Sequence, residues 1–237
     1  MSMEAKTEHL ATNLHRDGIV IVEDYVEERT CDDFREEIES RLSDGMKTSE
    51  PEMGYGDLAN AGEPIVDQRS GDRDDGMLDI FNMDLAVPKL KDLKEDEFIQ
   101  GIISKAAQEP YTADNLNIYV NRSVTNTRDY HADTYAGKYK AFIYLTDVPD
   151  ESYGPFSYVE GSHQPSGMRL RFRSFVNDRF RDVPSTNAVM YRKSNVKTCT
   201  ASKGTLIIAN QAGLHRGMPQ EEEKERMLVS ISYTRSE

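Results

Sequence analysis

A strict alternation of apolar and polar residues constrains the fold of this chain more than any other feature. It runs through NLNIYVN at residues 115–121. Successive side chains of a β-strand point to opposite faces, so the run predicts a strand with two unlike faces. The apolar face consists of Leu116, Ile118 and Val120, and the polar face of Asn117, Tyr119 and Asn121. We expect the apolar face to pack under a covering layer and the polar face to meet solvent or a polar cavity.

Further short strands are predicted through the second half of the chain. They span residues 138–146, 156–160, 205–209 and 227–234, with turn-forming residues between them. GIVIV at residues 18–22 predicts one earlier strand, and apolar residues at three- and four-residue steps predict helices at 27–42 and 96–108. Early helices followed by many short strands indicate a mainly β fold, a sandwich or barrel with helices packed outside.

Length and composition favour one globular unit. With 237 residues, of which 37% are hydrophobic and 30% charged, the chain can build one substantial core. Nothing marks a second domain, so we expect residues 1–237 to form a single domain. Within it, residues 50–84 contain ten acidic residues against two arginines and show little periodicity. This composition and the lack of periodicity predict that the segment is a long acidic loop or lid.

Charge and cysteine content exclude several classes of function. The net charge of −13 argues against a general affinity for nucleic acid or anionic membranes. No apolar run approaches the roughly 20 residues that a membrane helix needs, and the polar N-terminal residues lack the apolar core of a signal peptide. Cys31 and Cys199 match no zinc or redox spacing, which predicts free thiols and a cytoplasmic location.

A His-x-Asp pair, His131 and Asp133, precedes the predicted strand at 138–146. Together with a second histidine, this pair would form the face of two imidazoles and one carboxylate that holds Fe(II) with open positions for O2 and substrate. His215 follows the strand at 205–209 and completes a workable set, because strand ends meet at one mouth of a barrel. His163 lies in a Gly-Ser-His turn and competes for this role, although a hydrogen-bonded loop residue is its simpler interpretation.

Arg226 begins the last predicted strand, eleven residues after His215. Alternation places it with Leu228, Ser230 and Ser232 on the face opposite Met227, Val229 and Ile231, so its side chain should point inward. A buried arginine requires an anionic partner, and its planar guanidinium binds a carboxylate through two hydrogen bonds. Two partners stay open at this point: a carboxylate ligand, or an ion pair with the acidic residues at 221–225.

Taken together, these motifs resemble the phytanoyl-CoA dioxygenase family of Fe(II)- and 2-oxoglutarate-dependent oxygenases. The resemblance is carried by GIVIVEDYV with the helix after it, YHAD, KAFIYLTDV, GPFSYVEGSH, LHRG and Arg226 at the expected offset. It extends from about residue 18 to residue 233 and implies a double-stranded β-helix core, the cupin-like jelly roll, with helices at its flanks.

The resemblance also implies the catalytic machinery. His131, Asp133 and His215 would bind iron, and Arg226 would pair with the distal carboxylate of 2-oxoglutarate. In this family the Gly-Ser-His turn is a landmark, and its histidine, here His163, is not a ligand.

Further residues are placed around the co-substrate and substrate by the same resemblance. Asn121 and Tyr144 would lie beside 2-oxoglutarate, whereas Asn117, with Tyr119 on the same face, would look toward the substrate. The family often has Ser or Thr two residues after the distal histidine, where this chain has Gly217. Ser230 or a water molecule is therefore expected to assist Arg226.

The activity implied is hydroxylation of an unactivated C–H bond in a small molecule, with O2 and 2-oxoglutarate consumed and succinate and CO2 released. Asp133 favours hydroxylation over halogenation, because halogenating relatives leave that position open for chloride. Desaturation and ring closure stay open. Two alternatives are a non-catalytic or sensor cupin that holds a metal, and a metal-dependent cupin enzyme that needs no 2-oxoglutarate.

Residues 168–193 carry seven Arg or Lys against two Asp, a basic stretch within an acidic protein. One interpretation is a cationic rim for an anionic substrate. The other, which we favour because charge runs predict ligands weakly, is internal pairing with the acidic segment at 50–84.

Overall fold

Two antiparallel β-sheets, of seven and three strands, face one another in the computed structural model, which describes residues 2–133, 137–164 and 191–236. In chain order the strands are β1 (Ile19–Val22), β2 (Ile65–Gln68), β3 (Leu78–Phe81), β4 (Tyr111–Arg122), β5 (Tyr139–Tyr144), β6 (Phe156–Val159), β7 (Val196–Cys199), β8 (Leu206–Asn210), β9 (His215–Gly217) and β10 (Glu225–Arg235). The large sheet has the order β1-β8-β5-β10-β4-β3-β2 and the small sheet β7-β6-β9. The predicted mainly β architecture is confirmed.

The helices are α1 (Met3–Asp17), α2 (Glu28–Ser43), α3 (Tyr55–Ala59), α4 (Pro88–Lys94) and α5 (Glu97–Ala107). The helices predicted at 27–42 and 96–108 are thus confirmed to within a residue at each end. The Asp96 carboxylate caps α5 by accepting hydrogen bonds from the backbone N–H groups of Phe98 and Ile99. At the other end Gln108 adopts the left-handed conformation that commonly terminates a helix.

Two apolar layers follow from the alternation along the strands. The outer layer lies between the large sheet and the helices and contains Leu116, Ile118 and Val120 of β4 with Met227, Val229 and Ile231 of β10. The inner layer lies between the two sheets and contains Phe142, Tyr144, Phe156 and Leu228. Because β10 pairs with both β4 and β5, its inward positions are fixed from two sides. The predicted division of faces along β4 and β10 is confirmed.

The prediction of a long loop at residues 50–84 is wrong for much of that segment. It contains α3 and the hairpin of β2 and β3, and β3 pairs with β4 from Leu78↔Val120 to Phe81↔Asn117. A four-residue strand shows only two side chains on each face, so alternation is hard to recognise in it. Pairing with the long strand β4 stabilises β3, although the sequence of β3 alone gives no clear strand signal. The very short β7 and β9 escaped prediction for the same reason.

Other expectations can be compared with the described part of the chain. Cys31 and Cys199 are both buried free thiols, as predicted. Among the described residues, no helix combines the length and apolar character needed to cross a membrane. Most of the basic stretch at 168–193, whose role was left open, lies outside the described residues.

Gly204, which precedes β8, provides a test of the fold. Its φ is +84°, and a Cβ atom there would lie 2.1 Å from the carbonyl oxygen of Val26. We expect Gly204→Ala to lower the free energy of unfolding by about 3 kcal/mol, because a backbone clash is added to left-handed strain. Gly45 has φ of +90° and nothing within 4 Å of the corresponding position, so Gly45→Ala should cost only about 1 kcal/mol. Urea denaturation measures the free energy of unfolding of both variants. Equal losses of stability would contradict the predicted clash at Gly204.

Candidate metal centre

Three side chains converge where the two sheets meet. His131, Asp133 and His215 each present a ligand atom, and these atoms all lie within 4.8 Å of one another. The backbone fixes this arrangement: His131 N donates to His215 O at 3.0 Å, and His215 N donates to His131 O at 2.8 Å. Asp133 N donates to the carbonyl of Gln211 at 3.1 Å. The side chains therefore converge because main-chain bonds hold all three residues together.

Hydrogen bonds also set the tautomer of both imidazoles. His131 Nδ1 lies 2.7 Å from the Asp129 carbonyl oxygen, and His215 Nδ1 lies 2.9 Å from that of Gly213. A carbonyl oxygen only accepts, so each Nδ1 carries the proton and each Nε2 keeps its lone pair. The two Nε2 atoms lie 3.5 Å and 3.7 Å from Asp133 Oδ1. Two imidazole nitrogens and one carboxylate oxygen thus face a common point, which fits a first-row divalent metal.

The protonation states of the centre suit metal binding. Burial lowers the pKa of His215 to about 4, so its imidazole is neutral near pH 7. For Asp133, burial works to raise the pKa, but the neighbouring His131 and the positive charge of Lys140 outweigh it and lower the pKa. Lys140 Nζ donates to Asp133 Oδ2 at 2.8 Å. Neutral imidazole and ionised carboxylate are the forms that bind a metal.

Arg226 is buried in the same region with much of its hydrogen-bonding capacity unused. Its side chain is 5% exposed, and within the described residues its Nε and Nη1 atoms have no hydrogen-bond partner. Glu225 pairs with Arg122 at 2.8 Å, and no carboxylate of the described chain forms an ion pair with Arg226. A Cβ at Gly217 would lie 3.2 Å from Arg226 Nη2, so the absent side chain leaves room beside the guanidinium. A buried cation in this condition indicates an anionic ligand.

His131, Asp133, His215 and Arg226 line one cavity of about 240 Å³. One part of its wall is apolar and consists of Phe142, Phe156 and Leu228. The rest of the wall is mainly polar and includes Tyr55, Arg69, Asp74, Tyr119, Arg128 and Lys140. The cavity wall therefore combines an apolar part, a polar part rich in hydrogen-bonding groups, and the buried Arg226, two of whose nitrogens have no partner among the described residues.

Two of the residues predicted beside the co-substrate and substrate reach this cavity. Asn121 lines it and is the register partner of Arg226 across β4 and β10. Its Oδ1 is buried with no partner among the described residues. Tyr119 also lines the cavity, and the Arg69 guanidinium lies 6.0 Å from the centre of its ring.

Three other predicted site residues are not in the cavity wall. Asn117 is buried and donates through Nδ2 to Asp79 Oδ1 at 2.8 Å. Ser230 is its register partner on β10 and is buried as well. The Tyr144 hydroxyl donates to the Cys199 carbonyl at 2.9 Å and accepts from the Phe156 N–H at 3.0 Å. The roles proposed for Asn117, Ser230 and Tyr144 in ligand binding stay predictions.

His163 lies away from the three converging side chains. Its Nε2 is 3.0 Å from the carbonyl oxygen of His15 in α1, and it does not line the cavity. This is the hydrogen-bonded loop role that its sequence context favoured.

Sequence reasoning missed a charged cluster contributed by residues 50–84. Asp79 is 2% exposed and pairs with Arg69 at 3.4 Å, and burial raises its pKa from 3.8 to about 6. Asp74 contacts Arg69 at 3.6 Å and Arg128 at 2.7 Å. Arg69, Asp74 and Arg128 line both the cavity and an outer groove of about 770 Å³. No periodic signal marked these residues, because Asp79 lies in the four-residue β3 and the other three lie in connecting segments.

Lys140 and Gln211 were also missed. Lys140 occupies the inward face of β5 with Phe142 and Tyr144, a position that strict alternation could have identified. The Gln211 side chain donates to the Ala209 carbonyl at 3.1 Å, and this leaves its buried Oε1 without a partner in the described structure.

Comparison with known proteins gives a consistent result. The family model for phytanoyl-CoA dioxygenase (PhyH) matches residues 14–228. No curated protein sequence matches the chain.

Solved structures with the same fold include several metal enzymes. The epimerase SnoN in complex with Fe3+, alpha ketoglutarate and nogalamycin RO is 17% identical, with a TM-score of 0.68 over 98% of this chain and 84% of that one. The carbocyclase SnoK from nogalamycin biosynthesis is 18% identical, with a TM-score of 0.67 over 98% and 85%. HygX from Streptomyces hygroscopicus with nickel and 2-oxoglutarate bound is 14% identical, with a TM-score of 0.64 over 96% and 87%. The predicted jelly-roll core is confirmed.

The choice of ligands can be tested by substitution. We expect His131→Ala and His215→Ala each to abolish tight binding of Fe(II) or Co(II), because two of the three donors cannot hold the ion in place. His163→Ala should bind the metal like the wild type, since its Nε2 contacts α1. Anaerobic calorimetry measures the affinities. Metal binding retained after His215→Ala would mean that another residue is the third ligand.

Asp79 provides a pH-dependent test of the buried cluster. Because the folded-state pKa of about 6 exceeds the ordinary 3.8, the wild type loses stability as pH rises from about 4 to 6 and the loss is complete above that. Relative to wild type, Asp79→Asn should therefore gain stability over this range, by about 3 kcal/mol. Urea denaturation from pH 4 to 7 measures the difference. A difference that does not change with pH would contradict the raised pKa.

Proposed function

Since the chain belongs to the phytanoyl-CoA dioxygenase family, whose members are Fe(II)- and 2-oxoglutarate-dependent oxygenases, we propose that it hydroxylates an unactivated C–H bond of a small, polar molecule. One observation carries the proposal. The guanidinium of Arg226, whose Nε and Nη1 have no partner in the described part of the chain, lies in the same cavity as His131, Asp133 and His215. A metal-binding protein without this co-substrate has no need of a buried cation there.

His131, Asp133 and His215 are the residues that would hold iron. When bound, Fe(II) together with 2-oxoglutarate and O2 supplies the oxidising power to break an unactivated C–H bond, with succinate and CO2 as products. The protein supplies binding and orientation. The backbone bonds between His131 and His215 hold the donors in place before the metal arrives, which reduces the ordering required on binding. With Asp133 present as a ligand, hydroxylation is favoured over halogenation.

Arg226 would bind the distal carboxylate of 2-oxoglutarate. Burial strengthens this pairing, because water does not compete for the guanidinium donors. Asn121 is the register partner of Arg226, so its amide can donate to the same carboxylate. The hydroxyl that relatives often supply is absent at Gly217, and a water in the space beside Arg226 can take its place. Phe142, Phe156 and Leu228 make part of the cavity wall apolar, which limits the entry of other water.

The polar part of the cavity wall would bind the substrate. Tyr119, Arg69 and Asp74 offer aromatic, donor and acceptor groups there, which suits a small polar molecule better than a long acyl chain. HygX has also been solved with nickel, 2-oxoglutarate and hygromycin B bound, so this fold accommodates a further ligand together with the metal and 2-oxoglutarate. SnoN is an epimerase and SnoK a carbocyclase. The position of the substrate C–H bonds would thus decide between hydroxylation and other oxidative outcomes such as ring closure.

Other features of the proposal follow from chemistry already described. The two buried free thiols, Cys31 and Cys199, suit the reducing cytoplasm. One domain comprising the whole chain is sufficient for this activity, because metal ligands, Arg226 and the polar wall all lie between the same two sheets. The charge of −13 argues against nucleic-acid or membrane partners.

Co-substrate binding is the sharpest test. We expect 2-oxoglutarate to raise the melting temperature of the Ni(II)-loaded protein and Arg226→Met to remove most of that increase, because the ion pair with the distal carboxylate is lost. The loss should weaken 2-oxoglutarate binding at least about 30-fold, in line with removal of one partner of a buried charge pair. Melting curves under argon measure the shift.

Turnover provides the second measurement. The Fe(II)-loaded wild type should form succinate from 2-oxoglutarate under air, slowly without substrate. A matched control is Arg122→Met, which removes a half-exposed arginine of the same sheet that pairs with Glu39 and Glu225. If 2-oxoglutarate neither stabilises the wild type nor is converted to succinate, the proposed activity is wrong and a metal-binding cupin without this co-substrate is favoured.

A further inference from the structure

Lys140 is a cation in the cavity that neither the metal nor the co-substrate accounts for. It points from β5 into the space between the sheets, and its side chain is 16% exposed. An ammonium group has three hydrogen-bond donors. Among the described residues, one acceptor is in contact with Lys140 Nζ, namely Asp133 Oδ2 at 2.8 Å. Two donors thus remain for groups that enter the cavity.

The position of Lys140 separates it from the co-substrate arginine. Lys140 pairs with Ser232 across β5 and β10, and Arg226 lies six residues earlier on β10. At about 3.3 Å per residue, the two backbone positions are roughly 20 Å apart along the strands. The metal ligands lie between them, because Lys140 Nζ contacts Asp133 from one side and Arg226 lies beside Gly217, two residues after His215. A ligand on Lys140 would therefore be on the opposite side of the metal from Arg226.

The balance of charge identifies the kind of ligand. In the described part of the chain the cavity wall has four cations (Arg69, Arg128, Lys140 and Arg226) and two carboxylates (Asp74 and Asp133), and Asp79 lies behind Arg69 as a third. A divalent metal and dianionic 2-oxoglutarate cancel each other. One positive charge is left over.

Individual pairings assign that charge to Lys140. Asp74 and Asp79 neutralise Arg128 and Arg69. One carboxylate of 2-oxoglutarate neutralises Arg226, and the other, with Asp133, neutralises the metal. Once Asp133 is a metal ligand, it no longer neutralises Lys140. An uncompensated charge with so little exposure to solvent is costly unless an anion accompanies it.

We propose that Lys140 binds an anionic group of the substrate, a carboxylate or comparable monoanion, and thereby positions the substrate in front of the metal. This inference rests on the proposed function, because it assumes that metal and 2-oxoglutarate occupy the other charges. Tyr119 lies in the same wall and would border the bound anion. The cavity is thus specific for an acid that also carries polar groups.

The test uses two matched pairs of probes, benzoate with benzamide and propanoate with propanamide, which differ in charge but little in shape. The Ni(II)-loaded protein is first saturated with 2-oxoglutarate, so that Arg226 is occupied. We expect the wild type to bind each acid more tightly than its amide in calorimetry. Lys140→Met should weaken binding of the acids at least about tenfold and leave binding of the amides unchanged, because a charged hydrogen bond is removed.

Two variants serve as controls. Lys140→Arg should keep the preference for the acids, since the positive charge and donors remain. Lys203→Met removes a comparable lysine, 18% exposed and 2.8 Å from both Asp32 oxygens, and should bind the probes like the wild type. A general effect of losing an ion pair would appear in both lysine-to-methionine variants.

The outcomes separate the two proposals. If 2-oxoglutarate stabilises the wild type but acids and amides bind alike, or if Lys140→Met keeps the preference, the anion site is wrong and the proposed oxygenase stands. Acid binding that disappears on saturation with 2-oxoglutarate would place the anion at Arg226 and would likewise overturn the role of Lys140. If 2-oxoglutarate has no effect on the wild type, both proposals fail.

Discussion

The pair of backbone hydrogen bonds between His131 and His215 is the interaction on which the site depends. One residue follows β4 after a connecting segment, and the other begins β9 in the small sheet. Joining them closes the space between the two sheets at one end. The same pairing orients both imidazoles toward Asp133, which is fixed in turn through its bond to the Gln211 carbonyl. Fold and metal centre are therefore built from the same contacts.

Much of this arrangement could be predicted from sequence, because the alternation along a strand shows which side chains share each face of the sheet. The alternation at 115–121 separated the residues of the outer layer from those facing the cavity, and the same reasoning placed Arg226 inside. The candidate metal ligands were recognisable because a His-x-Asp pair precedes one predicted strand and a distant histidine follows another. Their geometry, with Nε2 atoms about one common point, required the bridge between the sheets, which no local pattern encodes.

The features that sequence reasoning missed or misassigned also have physical causes. Residues 50–84 were interpreted as a loop because their strands are only four residues long and rich in acids, yet β3 gains its order from β4. Asp79 is buried against the half-buried Arg69, so its polarity gave a false impression of exposure. Lys140 was overlooked because a strand lysine ordinarily points to solvent. The roles of Ser230 and Tyr144 beside the co-substrate stay predictions.

The two unlike faces of β10 bear on how proteins of this kind diversify. Met227, Val229 and Ile231 pack into the outer layer, whereas Arg226 and Leu228 line the cavity. Mutations on the outward face should chiefly lower stability, and mutations on the inward face should chiefly alter ligand binding. New ligand preferences can therefore arise at the inward positions without disturbing the packing of the outward ones. The strand acts as a scaffold whose evolvability comes from this separation.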